Sequence, residues 1–219
     1  MIRVLLRIRT GWLAGALLLC SQSSQAAFSH RVHLAQKLEC VVCHSIAPSS
    51  SKASDNLLPA PEVCLNRHTG ERALSSTPAI KAPRKLTVTK FNHSSHLKLG
   101  NIAPLIVRAI DAKTYLSDPG DLRSRLASVN HPCIACHRGL ETSDAVTEAA
   151  FPRMADCLVC HNQVDPPFSC VKCHDENANL KPASHTAGWI DRHSSGKANL
   201  DKPSCAVCHG RRFTCLGCH

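Results

Sequence analysis

The stretch 157–174, CLVCHNQVDPPFSCVKCH, contains one five-residue pattern twice: two Cys separated by two residues and followed at once by His. Outward from this stretch the pattern occurs four more times. Because residues i, i+3 and i+4 lie on one face of a helical turn, each copy presents two thiols and one imidazole together. The six copies are Cys40, Cys43 and His44; Cys133, Cys136 and His137; Cys157, Cys160 and His161; Cys170, Cys173 and His174; Cys205, Cys208 and His209; and Cys215, Cys218 and His219.

This spacing is typical of covalent haem attachment, in which the thiols bond the two vinyl groups of one haem and the imidazole binds its iron. Disulfides would not require His after each pair; with 14 His in 219 residues, six such His by chance have a probability of about one in ten million. Structural zinc takes four ligands from paired clusters, and exported thiols hold it poorly. Over the disulfide and zinc alternatives, the sequence predicts six covalently attached haem c groups.

The composition predicts the fold class. Aromatic residues make up only 4% of the chain, fewer than a packed protein core of this size normally holds. After residue 26 the chain offers about 32 residues for each haem, too few for six separate cores. We therefore expect a multihaem cytochrome c fold, with short α-helices and irregular loops wrapped around a haem core and little or no β-sheet.

The first 26 residues resemble a secretory leader. Three arginines precede an apolar stretch, Trp12 to Leu19, that is too short to span a membrane. Ser24-Gln25-Ala26 supplies small residues before a cut, so we expect cleavage after Ala26 and a periplasmic protein. Acylation at Cys20, giving a lipoprotein, is the alternative, although Leu19 is bulky where a small residue is wanted.

Beyond the leader the chain divides into three parts. Residues 27–76 hold the first attachment motif and a linker rich in Ser, Pro and Ala. Residues 77–130 predict a short extended piece at 86–89 and two helices, 105–116 and 121–129, separated by the turn signal Asp118-Pro119-Gly120. Residues 131–219 carry the other five motifs, so we expect these haems to lie close together.

The second axial ligands decide between electron transfer and catalysis. Apart from Met1 the only methionine is Met154, so at most one haem can have the Met ligand that raises the potential. Enough histidines remain for every iron to have two His ligands, which leaves no open position for substrate and argues against an enzyme. Of the eight candidates, we expect His68 to be surplus and expect axial ligands at His30, His33, His93, His96, His131, His185 and His193.

The stretch 28–44, with Phe28-Ser29-His30-Arg31-Val32-His33 followed by Cys40-Val41-Val42-Cys43-His44, resembles the opening of the class III c-type cytochromes, small periplasmic electron carriers with three or four haems. The resemblance implies that His30 pairs with His44 and that His33 serves a neighbouring haem. Residues 91–96 repeat the ligand pair, with the next attachment motif far downstream. The resemblance covers about 28–44, 91–96 and 131–219 and implies an extended hexahaem relative.

Cys64-Leu65-Asn66-Arg67-His68 has the spacing of a seventh attachment motif, with Arg67 where the second Cys should stand. It is either a haem site with one thioether or a position that holds no haem. Because attachment is expected to need both thiols, the sequence favours six haems over seven. Cys64 is then a free thiol or a candidate for an intermolecular disulfide.

The formal net charge of +10 would suit nucleic acid, but two propionates on each haem would offset most of it. We therefore predict no nucleic-acid partner and no membrane span, and an electron carrier between redox partner proteins, with no catalytic residues of its own. Association with inner- or outer-membrane redox complexes fits this role, as does a relay subunit of such a complex. A reductase of a small oxyanion or metal ion, with one open haem, is the alternative.

Overall fold

The computed structural model describes residues 28–70, 73–74, 88–163, 169–182, 184–194 and 201–209. The expected leader and the alternative acylation site Cys20 lie outside these residues, as does the sixth motif, with Cys215, Cys218 and His219. Ten α-helices are present in the described ranges: α1 His30–Ala35, α2 Cys40–Cys43, α3 Pro61–Leu65, α4 His93–Leu97, α5 Ala103–Asp111, α6 Leu122–Ala127, α7 Pro132–Cys136, α8 Met154–Leu158, α9 Trp189–Ser194 and α10 Lys202–His209. Short 3-10 turns at Glu148–Ala150 and Cys170–Lys172 complete the helical structure of these ranges.

Extended pairing within the described residues is limited to one antiparallel bridge, between Val88 and His174. Val88 belongs to the predicted extended piece 86–89, whose first two residues lie outside the description. The expectation of short helices and loops with little or no sheet is therefore confirmed.

The main apolar contact joins α5, α6 and α7. Ile106 and Leu126 are fully buried at its centre, and Tyr115, Leu122 and Ala135 pack around them. The two long predicted helices are thus real, but both are shorter than predicted. The left-handed backbone of Lys113, with φ of 55°, turns the chain away just after α5, because a continuing helix needs negative φ.

A buried polar network braces this core. The Arg138 guanidinium donates to both carboxylate oxygens of Asp156, with Nη1 3.1 Å from Oδ1. The Tyr115 hydroxyl donates to Oδ1 at 2.9 Å, and the backbone N–H of Arg153 donates to Oδ2 at 2.7 Å. Because Arg138 directly follows the His137 motif and Asp156 directly precedes Cys157, the network ties two attachment motifs together.

Only nine hydrophobic side chains are buried among the described residues. Most of the helices have six residues or fewer, and helices this short are not stable by themselves in water. None of the described helices combines the length and apolar character that crossing a bilayer requires.

Candidate haem-binding sites

The attachment motifs share one local backbone. In four intact motifs the N–H of the histidine donates to the carbonyl of the first cysteine, closing one helical turn: His44 to Cys40 (2.9 Å), His137 to Cys133 (2.8 Å), His161 to Cys157 (2.9 Å) and His174 to Cys170 (3.0 Å). The fifth described motif, from Cys205 to His209, lies within α10. This turn brings both thiols and the imidazole to one side, as the i, i+3, i+4 spacing predicts.

The predicted attachment cysteines are placed at five of the six motifs. None of the eleven cysteines in the described ranges forms a disulfide, and all eleven are half-buried or exposed. Cys160 is one of the exposed thiols, and its N–H donates to the Cys157 carbonyl at 3.2 Å. A free thiol is the form that adds to a vinyl group. Cys215 and Cys218 lie outside the described residues, so their predicted attachment role stays a prediction.

Two short helices present the candidate distal ligands in the same way. Ser29 caps α1 by accepting from Val32 N–H at 3.3 Å, and Asn92 caps α4 by accepting from Ser95 N–H at 2.8 Å. Ser and Asn are favoured at this position because the side-chain oxygen satisfies an otherwise free N–H.

An aromatic ring precedes each of these caps. Phe28 stacks on His33 with ring centroids 4.6 Å apart and meets His30 edge-on. Phe91 makes the same two contacts with the histidines of α4, stacking at 4.4 Å. The repeated sequence pattern is therefore a structural repeat that holds two imidazoles at fixed angles.

Each distal histidine of these repeats faces a histidine of an attachment-type motif, and a fifth pair has the same spacing. The ring centroids are separated by 6.3 Å for His30–His44, 6.0 Å for His33–His68, 6.4 Å for His93–His137, 6.1 Å for His96–His161 and 6.2 Å for His185–His209.

A metal ion held between two imidazoles requires this separation. The nitrogen of a five-membered ring with bonds near 1.33 Å lies about 1.1 Å from the centroid, and a metal–imidazole bond is about 2.0–2.1 Å. Two such segments in line give about 6.2–6.4 Å. The angles between ring planes vary from 7° for His30–His44 to 63° for His33–His68, which haem permits because an axial imidazole can rotate about its bond to iron. The residues therefore fit haem.

Hydrogen bonds orient several of these imidazoles. Nδ1 of His44 lies 2.6 Å from the Leu57 carbonyl, and Nδ1 of His137 lies 3.1 Å from that of Ala150. Distal histidines bond the carbonyl four residues earlier, His33 at 2.7 Å and His96 at 2.7 Å. A carbonyl can only accept, so Nδ1 carries the proton and Nε2 keeps the lone pair that binds a metal.

Burial keeps several of these rings uncharged. It lowers the pKa of His137 to about 4. Burial is also the main cause of the lowered pKa of His30 and of His93, with a neighbouring histidine adding to it. A neutral imidazole is the form that binds metal.

Thiols of different motifs lie close enough to interact. Cys40 Sγ and Cys133 Sγ lie within 4.8 Å of each other, and their hydrogen bond raises the pKa of Cys40 and lowers that of Cys133. In other thiols burial is the main cause of a raised pKa, and a thiol of the adjacent motif adds to it. The pairs are Cys43 with Cys64, Cys136 with Cys157, Cys157 with Cys173, and Cys208 with Cys170.

His68, expected to be surplus, instead lies opposite His33. Among the described residues, the expected ligand His131 does not lie opposite an attachment histidine. Its Nδ1 accepts from Cys133 N–H at 3.2 Å and thereby caps α7, while Nε2 lies 3.7 Å from a Glu39 carboxylate oxygen. The physical reason is that Pro132 is favoured at the first helical position, which places His131 at the N-cap of α7, where its Nδ1 can accept from a backbone N–H.

The remaining predicted ligands are placed as follows. Trp189 stacks on two of them, on His185 with centroids 5.0 Å apart and on His193 with centroids 5.5 Å apart. His174 is buried, and His219 lies outside the described residues. Met154 is 40% exposed.

The aromatic residues that hold these rings were not among the predicted site residues. Phe28 and Phe91 occur at the same spacing before two His-x-x-His pairs, and that repetition was the signal available. Trp189, between His185 and His193, belongs to no repeated sequence pattern. The Leu57 and Ala150 carbonyls that orient His44 and His137 also lie in stretches with no repeated pattern. Comparison of the chain with family models, with curated proteins and with solved structures gives no match.

Proposed function

We propose that the protein is a periplasmic multihaem c-type cytochrome, an extended relative of the class III c-type cytochromes, that carries single electrons between redox partner proteins. The observation that carries the proposal is the set of paired imidazoles. Four pairs join a distal histidine to the histidine of an intact attachment motif at 6.1–6.4 Å. Haem supplies a one-electron iron couple and, with its flat apolar ring, would complete the core that few side chains occupy.

The residues of the chain perform three tasks in this role. The cysteines would anchor each haem covalently, and the paired imidazoles would hold its iron from both sides. The carbonyl bonds to Nδ1 hold the rings in one orientation in both redox states, which keeps structural change on electron transfer small.

The closeness of two motifs supports a relay rather than isolated sites. The Sγ atoms of Cys40 and Cys133, which belong to different motifs, lie within 4.8 Å of each other. The network of Arg138 and Asp156 fixes the spacing between two of the motifs. Basic side chains would neutralise propionates, and the exposed remainder would dock partner proteins.

The proposal is tested with the full chain expressed in a host that attaches haem c. The intact mass of the mature protein gives the number of haems, and ferric and CO-treated ferrous spectra report the axial ligands. At least six covalent haems and mainly low-spin spectra are expected. A protein that leaves maturation without covalent haem would overturn the proposal.

The position of His131 supports a second candidate, a reductase of a small oxyanion or metal ion with one open haem. The Nδ1 of His131 accepts from the N–H of Cys133 in the following motif, and its Nε2 lies 3.7 Å from a carboxylate oxygen of Glu39, so the number of histidines available as distal ligands falls by one. CO binding by one haem of the wild-type protein would favour this candidate. The variant His131→Asn keeps a good capping residue, so a new open haem in this variant would show that His131 is a ligand after all.

A further inference from the structure

The incomplete motif Cys64-Leu65-Asn66-Arg67-His68 has the backbone of an intact one. The N–H of His68 donates to the Cys64 carbonyl at 2.9 Å, the same distance as in the motif of His44. The helix α3 places Cys64 one residue before its end, with Pro61 at its beginning, where proline is favoured. Replacement of the second cysteine by Arg67 has therefore not changed the local fold.

The imidazole of His68 also faces a second imidazole. His33 lies opposite it with centroids 6.0 Å apart, close to the separation of about 6.2–6.4 Å that a metal between two imidazoles requires. The Nδ1 of His33 is bonded to the Ser29 carbonyl at 2.7 Å, so its Nε2 is the nitrogen available to a metal.

Helix α1 therefore places one histidine opposite each of two motifs, as α4 does. His30 faces His44 and His33 faces His68, while His93 faces His137 and His96 faces His161. The same geometry recurs although one of the four motifs lacks a cysteine.

We infer that Cys64 and His68 hold a seventh haem by a single thioether, with His33 as its second axial ligand. This inference rests on the proposed function. The Sγ–H of Cys64 adds across one vinyl C=C, so that sulfur bonds to one carbon and hydrogen to the other. No atom is lost and no oxidant is needed. The second vinyl group stays unsaturated because Arg67 offers no thiol.

Peptide mapping of the mature wild-type protein tests the inference without a variant. Trypsin releases residues 53–67, in which Cys64 is the only cysteine, and residues 38–52, which hold the intact pair Cys40 and Cys43. The expected result is one covalent haem on each peptide and seven haems in the intact protein. A haem-free 53–67 beside a haem-loaded 38–52 would overturn the inference alone. Loss of haem from both would overturn the proposed function as well.

Two variants test whether Cys64 forms a single thioether bond to haem. Cys64→Ala is expected to lower the covalent haem count from seven to six, and an unchanged count would contradict the inference. Arg67→Cys completes the pair, so the haem count should stay at seven while the pyridine haemochrome band moves toward that of haem with both vinyl groups saturated. A band identical to that of the wild type would mean that no single-thioether haem was present.

Spectroscopy tests the second ligand. Parallel imidazole planes lift the degeneracy of the iron d orbitals, whereas crossed planes leave it nearly intact and give a highly anisotropic EPR signal. The 63° angle of His33–His68 is the largest among the five described pairs, so this site should give the most anisotropic signal of the five. His33→Ala should abolish that signal and create one CO-binding haem, whereas His30→Ala should instead affect a nearly parallel pair at 7°. Retention of the anisotropic signal in His33→Ala would overturn this ligand assignment.

Discussion

The ring of His96 lies 6.1 Å from that of His161, and the planes of the two rings are inclined by 44°. His96 stands on α4 and His161 follows α8, two elements that are distant in sequence. The Nδ1 bond of His96 to the Asn92 carbonyl directs its Nε2 outward from α4. A single substitution at this position should therefore open one defined iron.

His96→Ala is expected to convert one haem from low spin to high spin and to make it bind CO, because no other strong ligand replaces the imidazole. Ferric and CO-difference spectra of the haem-loaded variant measure this. The matched control is Ser95→Ala, an exposed neighbour on the same helix, which should leave the spectra unchanged. A fully low-spin His96→Ala protein would contradict the pairing.

The buried ion pair between Arg138 and Asp156 should be a large contributor to stability. Their side chains are 6% and 2% exposed, so Asp156→Asn leaves a buried guanidinium without its counter-charge. Breaking such a pair costs about 3–5 kcal/mol of the free energy of unfolding. Tyr115→Phe removes one hydrogen bond to the same carboxylate and should cost about 1 kcal/mol.

Guanidinium unfolding of the haem-loaded proteins, followed by circular dichroism, gives both values. An Asp156→Asn protein that loses no more stability than Tyr115→Phe would show that the ion pair is not buried as described. Glu148→Gln, an exposed acid next to the same region, is the control and should change little.

The contact between α1 and the loop that carries Asp144 should depend on pH. Ser29 Oγ donates to Asp144 at 2.6 Å and Arg31 donates to both of its oxygens at 3.0 Å. The hydrogen bond from Ser29 and that from Arg31 lower the pKa of this carboxyl. Its contribution is therefore fully present above the ordinary aspartate pKa of about 3.9 and is lost as the pH falls through the lowered value.

Hydrogen exchange of residues 28–36, corrected for the intrinsic pH dependence, measures this effect. Asp144→Asn should exchange faster than the wild type at about pH 6, and the two proteins should converge at pH values well below about 3.9. Glu141→Gln, an exposed acid of the same loop, should match the wild type throughout. A difference that persists in acid would assign the effect to packing instead.

The chain expressed without haem attachment should be largely unfolded. Buried hydrophobic side chains among the described residues are few and cluster around α5, α6 and α7, which is too little to offset the conformational entropy of the whole chain. Circular dichroism and hydrogen exchange should show residual protection confined to about residues 103–127 and no cooperative transition. Cooperative unfolding with native protection at α2 or α10 would show that the polypeptide folds without haem.

Local features were predictable because local spacing determines them. The turn from Cys40 to His44 follows from positions i, i+3 and i+4 on one helical face, and the caps Ser29 and Asn92 follow from side-chain chemistry at a helix start. The two apolar helices were visible in the periodicity, but the end of α5 was not, because the left-handed Lys113 carries no signal in residue type.

The sequence by itself determined how many cysteine pairs there are, which histidine follows each pair, and that little side-chain material exists to fill a core. The resemblance implied the meeting of His30 with His44, and only the tertiary structure decided which other histidines meet. His68 counted as surplus in sequence, yet it faces His33, and His131 counted as a ligand, yet it caps α7. The physical reason is that ligand pairing depends on the path of the chain between short helices, and those connections have no periodicity from which their course can be predicted.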